Sequence, residues 1–151
     1  MILNQGKTSV ILEAWYLDEI NEGAVKPILM QCGVDAHNYF GSSRSPQELI
    51  IYPLVRDHPI LNEPVPITDY KIADYWPYED LGDLMYLNGL GDAQFILGRK
   101  DRNPEEEGVL TTCMNNRLLL LTLNTHNYMD ETLVPLWMNM INFALETHFG
   151  G

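Results

Sequence analysis

Hydrophobic positions along this chain follow two patterns: short apolar runs typical of strands, and the i, i+3, i+4 spacing of amphipathic helices. The runs that predict strands are Ser9–Trp15, Glu48–Val55, Gln94–Gly98, Gly108–Met114 and Arg117–Asn124. The last two flank Asn115-Asn116, which predicts a two-residue hairpin turn because Asn tolerates positive φ. Leu118–Leu121 is apolar at every position, so we expect a strand that is buried on both faces.

A short helix is predicted near residues 24–32, because Val25, Ile28, Leu29 and Cys32 have helical spacing. Pro27 restricts the start of this helix to the region of Ala24, since proline is tolerated only in the first turn. Gly33 is the expected residue beyond its end, in a left-handed conformation.

The strongest helical pattern covers residues 133–147. Its apolar positions form one stripe: Leu133, Leu136, Trp137, Met140, Ile141, Ala144 and Leu145. Thr132 is the expected N-cap, which puts Pro135 in the first turn. Asn139, Asn142 and Glu146 are expected to face water. With Leu119 and Leu121 of the buried strand, Trp137 and Ile141 are expected to lie in the central core.

Strands that alternate with helices favour a single α/β domain over residues 1–151, with a mixed or mostly parallel sheet flanked by helices. A long irregular insertion, at about 56–83, carries four prolines. The sheet is expected to end in the hairpin at 108–124 and the C-terminal amphipathic helix.

The composition is that of an ordinary globular domain, with 46% hydrophobic and 20% charged residues. Its formal net charge of −12 disfavours binding to nucleic acid or to an anionic membrane surface. No apolar run approaches the ~20 residues of a transmembrane helix, and residues 1–20 have no signal-peptide pattern. Cys32 and Cys113 are expected to be two buried thiols. These features favour a cytoplasmic location.

The stretch from Gly108 to His126, followed by Val134 to Ala144, resembles the end of class I glutamine amidotransferase-like domains, and Asp57-His58-Pro59-Ile60-Leu61 is similar to a segment of their non-catalytic relatives. The resemblance implies a flavodoxin-like fold and a degenerate, non-catalytic accessory or assembly domain, as in β-galactosidases and uncharacterised bacterial proteins. Such domains begin with two further β-α units. An edge beside Ser9–Trp15 is therefore expected to be covered by a homodimer or another protein partner.

Cys32 and His126 are the candidates for catalysis, as a nucleophile and its base in a Cys-His hydrolase. A strained nucleophile elbow needs small neighbours, whereas this chain has Met30 and Val34 at those positions. Cys32 is therefore expected to be buried and unreactive.

The candidate binding segment is Asp74, Tyr75, Trp76 and Tyr78. Three interpretations stay open: a loop held by its own aromatic rings, a protein interface, or a carbohydrate-binding module in which the rings stack on sugars. His126 is a further binding candidate, because it follows the buried strand at the end where open α/β sheets bind ligands. His37 and His58 each lie close to an aspartate in the sequence, but the spacing of these residues is not that of metal ligands. Neither a metal nor a cofactor is therefore expected.

Overall fold

The computed structural model of the chain describes residues 10–13, 26–37, 51–68, 86–89, 91, 93–99, 106–122 and 130–150. The strands are β1 (Val10–Glu13), β2 (Val34–His37), β3 (Tyr52–Pro53), β4 (Tyr86–Gly89), β5 (Gln94–Gly98), β6 (Gly108–Cys113) and β7 (Leu118–Leu121). The helices are α1 (Lys26–Cys32), α2 (Pro59–Asn62) and α3 (Asp130–Phe149). None of the helices in these described ranges has the length and apolarity needed to cross a bilayer.

The strands form one sheet in the order β1-β7-β6-β4-β2, with β5 also paired to β6 and β3 paired to β5. The β1–β7 pairing is parallel, and the other pairings are antiparallel. The prediction of a mixed or mostly parallel, flavodoxin-like α/β fold is therefore wrong: this is a mostly antiparallel sheet with three helices among the described residues. The connections from β5 to β6 and from β6 to β7 are too short for the helical crossover that parallel strands need.

The predicted hairpin is confirmed, although its turn is longer than expected. Cys113 of β6 pairs with Leu118 of β7, so the loop has four residues, 114–117. Met114, Asn115 and Asn116 have φ values of 54°, 57° and 63°. Three successive residues in the left-handed region reverse the chain here, and the side-chain amides of asparagine make that conformation tolerable.

Leu118–Leu121 is buried at every position, as predicted. Leu119 and Leu121 face a core cluster that includes Leu136 and Met140 of α3. Leu118 and Leu120 face a second cluster on the other side of the sheet, together with Leu29 of α1. Side chains of a strand alternate between its two faces, and here a helix covers each face, so β7 is apolar throughout.

Helix α1 confirms the prediction from its apolar spacing. It covers Lys26–Cys32 and buries Leu29 and Cys32, with Pro27 in its first turn. Gly33 follows with a φ of 71°, and its N–H donates to the carbonyl of Met30. β2 and β4 had no predicted counterpart. Of the predicted strand Glu48–Val55, the structure assigns Tyr52–Pro53 to β3, and residues 48–50 lie outside the described ranges.

The buried face of α3 overlaps the predicted one only in part: Leu133, Leu136 and Met140 are buried as predicted, and Trp137 packs against the same core cluster. Ile141 was expected in the core, but half of its surface is exposed (50%), and Trp137 is half-buried. Asn139, expected to face water, is fully buried. The core face consists of Leu133, Leu136, Met140 and Phe143, with Thr132 and Asn139. The rest of the prediction failed because both sides of this helix carry apolar residues, so spacing alone did not identify the inner one.

The N-terminus of α3 also differs from the prediction. The helix begins at Asp130, so Thr132 lies inside it rather than at its N-cap. Pro135 therefore falls beyond the first turn, at the sixth helical residue. Thr132 is buried at the start of the core face, so it does not act as the predicted N-cap.

Two buried threonines provide a matched test of the sheet. The hydroxyl of Thr111 is buried without a hydrogen-bond partner, whereas the hydroxyl of Thr122 donates to the carbonyl of Val109 at 3.3 Å. Valine has nearly the same shape without the hydroxyl. Thr111→Val should raise the free energy of unfolding by about 1 kcal/mol, and Thr122→Val should lower it by about 0.5–1.5 kcal/mol. Urea unfolding measures both, and equal destabilisation by the two variants would contradict the described environment of Thr111.

Candidate functional site

Cys32 lies next to Cys113 and is bonded to it, with 5.2 Å between the two Cα atoms. Helix α1 ends at Cys32, and β6 ends at Cys113, so the two chain segments meet where each terminates. The prediction of two free thiols is therefore wrong, although Cys32 is buried as expected, with 2% of its surface exposed. A disulfide sulfur is not a thiolate, so in this state the Cys-His hydrolase interpretation has no nucleophile.

An open cleft of about 620 Å³ lies over this disulfide. Its walls include Gln31, Gln94, Asn115 and Asn116, and none of the described residues that line it is charged. Carboxamides donate and accept hydrogen bonds but do not exchange protons near neutral pH. The described part of the cleft therefore has the chemistry of a neutral surface, with no acid or base for proton transfer among the described residues.

The other predicted site residues lie outside the described residues: Asp74, Tyr75, Trp76, Tyr78 and His126. The predictions of a carbohydrate-binding or protein-binding aromatic segment, and of a role for His126, stay predictions. His37 belongs to β2, where it pairs with Tyr86 of β4. Among the residues that the structure describes, there is no group of three or more His, Cys, Asp or Glu side chains that could hold a metal ion.

His58 occupies a structural position that the sequence did not reveal. It is the N-cap of α2, and its Nδ1 accepts a hydrogen bond from the N–H of Ile60 at 3.2 Å. Its ring packs against Phe143 of α3, with 5.1 Å between the ring centroids. Burial lowers the pKa of His58, and the nearby Asp57 carboxylate opposes that shift. The neutral imidazole is therefore the form that fits this position.

Asn139 connects α3 to the segment that follows α2. Its side-chain nitrogen donates to the carbonyl of Ile60 at 2.9 Å and to the carbonyl of Val65 at 2.7 Å. Its side-chain oxygen accepts from the N–H of Val65 at 3.0 Å. A buried amide with these three bonds is well satisfied. The sequence signal that could have revealed this buried role is an asparagine in the middle of an apolar helix.

The opposite side of α3 is apolar and exposed. We call it the outer stripe, and it consists of Val134, Met138, Ile141, Leu145 and Phe149, which expose from 48% to 75% of their surface. Six large hydrophobic side chains of the described residues are exposed, and five of them belong to this stripe; the sixth is Met30. Helix α3 has no charged residue from Thr132 to Leu145. A helix that is apolar all round normally has both sides covered.

Comparisons with known proteins found no match among protein-family models, curated proteins or solved structures. The resemblance to amidotransferase-like domains is supported by no relative, and the mostly antiparallel sheet contradicts the fold that this resemblance implies.

Reduction of the Cys32–Cys113 bond should destabilise the protein. The two residues are 81 positions apart, and closing a loop of that length stabilises the folded state by about 4 kcal/mol in the chain-entropy model. Urea unfolding at pH 7, with and without dithiothreitol, should show a loss of about that size. Two free thiols in the non-reduced protein, or no effect of the reductant, would contradict the bond.

The stability of the protein should fall on acidification because of His58. The pKa of His58 is lowered in the folded state from its ordinary value of 6.5, so the unfolded chain binds the proton more readily. Its contribution is fully present above pH 6.5 and is lost as the pH falls towards the lower folded pKa.

His58→Asn is the matched variant for this test, since asparagine is also a good N-cap but does not titrate. The decrease in unfolding free energy between pH 7 and pH 5 should be smaller in this variant than in the wild type. The same decrease in both proteins would contradict a role for His58.

Proposed function

We propose that this chain is a non-catalytic assembly domain, and that it associates with a second copy of itself through the outer stripe of α3. The proposal rests on one observation: the outer stripe of α3 is exposed to solvent, and the central part of this helix carries no charged side chain. Val134, Met138, Ile141, Leu145 and Phe149 are exposed, and no charge lies between Thr132 and Leu145. In a chain of net charge −12, a solvent-facing helix would ordinarily carry acidic residues on its outer face.

The size of the outer stripe fits a dimer of two such helices. From Val134 to Phe149 it extends for about 22 Å at 1.5 Å per residue. The five residues expose from about half to three quarters of their surface, which amounts to roughly 400–500 Å² if a residue of this size presents somewhat less than the ~150–250 Å² of an aromatic side chain. Two copies that face each other would cover twice that area of apolar surface, and the surrounding polar side chains add to this. That total reaches the ~1,000 Å² expected of a biological interface.

If two copies associate, the distribution of charge favours this face over the more acidic parts of the surface. Two chains of net charge −12 repel each other wherever acidic surfaces approach. The charged residues of α3 that are exposed, Glu131 and Glu146, stand near the two ends of the helix. An uncharged centre lets two copies approach closely without burying a carboxylate, whose desolvation would oppose association.

Symmetry places the centre of this interface. Closed dimers use the same patch twice, around a two-fold axis. An antiparallel pair of α3 helices that covers the whole stripe has its axis near Ile141, midway between Val134 and Phe149. Helices in this arrangement also bring the positive end of one dipole to the negative end of the other.

The test is sedimentation equilibrium of the wild type and of two variants that each add one negative charge. Ile141→Glu puts two carboxylates near the axis and should weaken dimerisation at least tenfold, which corresponds to about 1.4 kcal/mol. Met30→Glu is the matched control, because Met30 is also exposed, at 70% against 50% for Ile141, but belongs to α1. It should leave the dimer unchanged.

Circular dichroism should be the same for all three proteins, because both substituted side chains face solvent in the single chain. A wild type that is monomeric at 100 micromolar would contradict the proposal. A dimer that resists Ile141→Glu, or one that is weakened equally by Met30→Glu, would also contradict it, because the interface would then not be the outer stripe.

A further inference from the structure

A second open cleft, of about 500 Å³, lies between β3 and the segment around α2. Ile51 and Leu61 are buried at its base, and half-buried Ile67 lies beside them. The hydroxyl-bearing Tyr52 and Thr68 line it as well, together with exposed Arg56. Its volume falls within the ~300–1,000 Å³ typical of small-molecule sites.

The backbone around this cleft is held in place by hydrogen bonds. The N–H of Ile67 donates to the carbonyl of Leu61 at 2.9 Å, which fixes one wall to the end of α2. The N–H of Leu54 donates to the carbonyl of Ile96 at 2.9 Å, which fixes β3 to the sheet. The Asn62 side chain donates to the carbonyls of Arg56 and His58, both at 2.9 Å. The backbone that shapes the cleft and carries Arg56 is therefore fixed before any ligand arrives.

Arg56 differs from the other arginines that the structure describes. Arg99 lies 3.9 Å from a carboxylate oxygen of Glu107 and over the ring of Tyr86. Arg117 donates to the carbonyl of Met114. The guanidinium of Arg56 takes part in none of the ion pairs or side-chain hydrogen bonds formed within the described residues. Among the described residues that line the cleft, Arg56 is the charged one, and the buried Ile51 and Leu61 are apolar.

From this combination we propose that the cleft binds a small monocarboxylate with an aliphatic chain. A planar guanidinium pairs with a carboxylate through two parallel hydrogen bonds. The aliphatic part would cover Ile51, Leu61 and Ile67. Phosphate and other multiply charged anions fit less well, because the described lining offers them one cation beside apolar side chains. This proposal does not require that the protein dimerises through α3.

Octanoate is the probe, and its binding can be followed by changes in the NMR signals of the Leu61 and Ile67 methyl groups. We expect saturable binding to the full chain. Octanamide has the same chain and a neutral head, so it should bind at least tenfold more weakly. Arg56→Gln should lower the affinity for octanoate at least tenfold and leave that for octanamide nearly unchanged.

Lys26→Gln is the matched control, because it removes one exposed positive charge from α1, outside the cleft. It should leave octanoate binding as it is in the wild type. The proposal is overturned if octanoate does not saturate these signals, if octanamide binds equally well, or if Lys26→Gln weakens octanoate binding as much as Arg56→Gln does.

Discussion

The buried amide of Asn139 is the constraint on which the arrangement of α3 depends. A helix with apolar residues on two sides could pack on the sheet through either of them. Asn139 can be buried only where partners satisfy its amide, because an unpaired buried polar group costs about 1–3 kcal/mol. The carbonyls of Ile60 and Val65 and the N–H of Val65 supply those partners. Asn139 therefore determines which side of α3 faces the core, and the outer stripe is the side that stays exposed.

The same three bonds organise the segment that follows β3. They hold the backbone from Ile60 to Val65 against α3, while the ring of His58 packs on Phe143 one helical turn further along. Asn62 then fixes the carbonyl of Arg56 from within that segment. The proposed carboxylate cleft and the proposed dimer surface lie in different places, but both depend on how α3 meets the chain around α2.

Elements determined by local pattern could be predicted from the sequence. The apolar run of β7 and the spacing of α1 with Gly33 are local signals, and both are present. The relative direction of the paired strands was mispredicted, because it depends on the connections between strands and on which strands pair. Apolar runs specify neither. The inner face of α3 was predicted only in part, because the decisive residue, Asn139, was interpreted as polar and hence exposed. The disulfide was missed because Cys32 and Cys113 are far apart in sequence and become neighbours only through the fold. The aromatic candidates at 74–78 lie outside the described residues and stay predictions.

The most direct test of this account is backbone hydrogen exchange at the amide of Val65 in Asn139→Ala, with Asn142→Ala as the reference. Asn142 is on the same helix, but its side chain bonds to exposed Glu146 instead of to the segment after α2. Asn139→Ala should strongly speed exchange of the Val65 amide, because this amide loses the only acceptor described for it. Asn142→Ala should leave exchange of the same amide slow. Equal exchange of this amide in the two variants would contradict the claim that Asn139 fixes the orientation of α3.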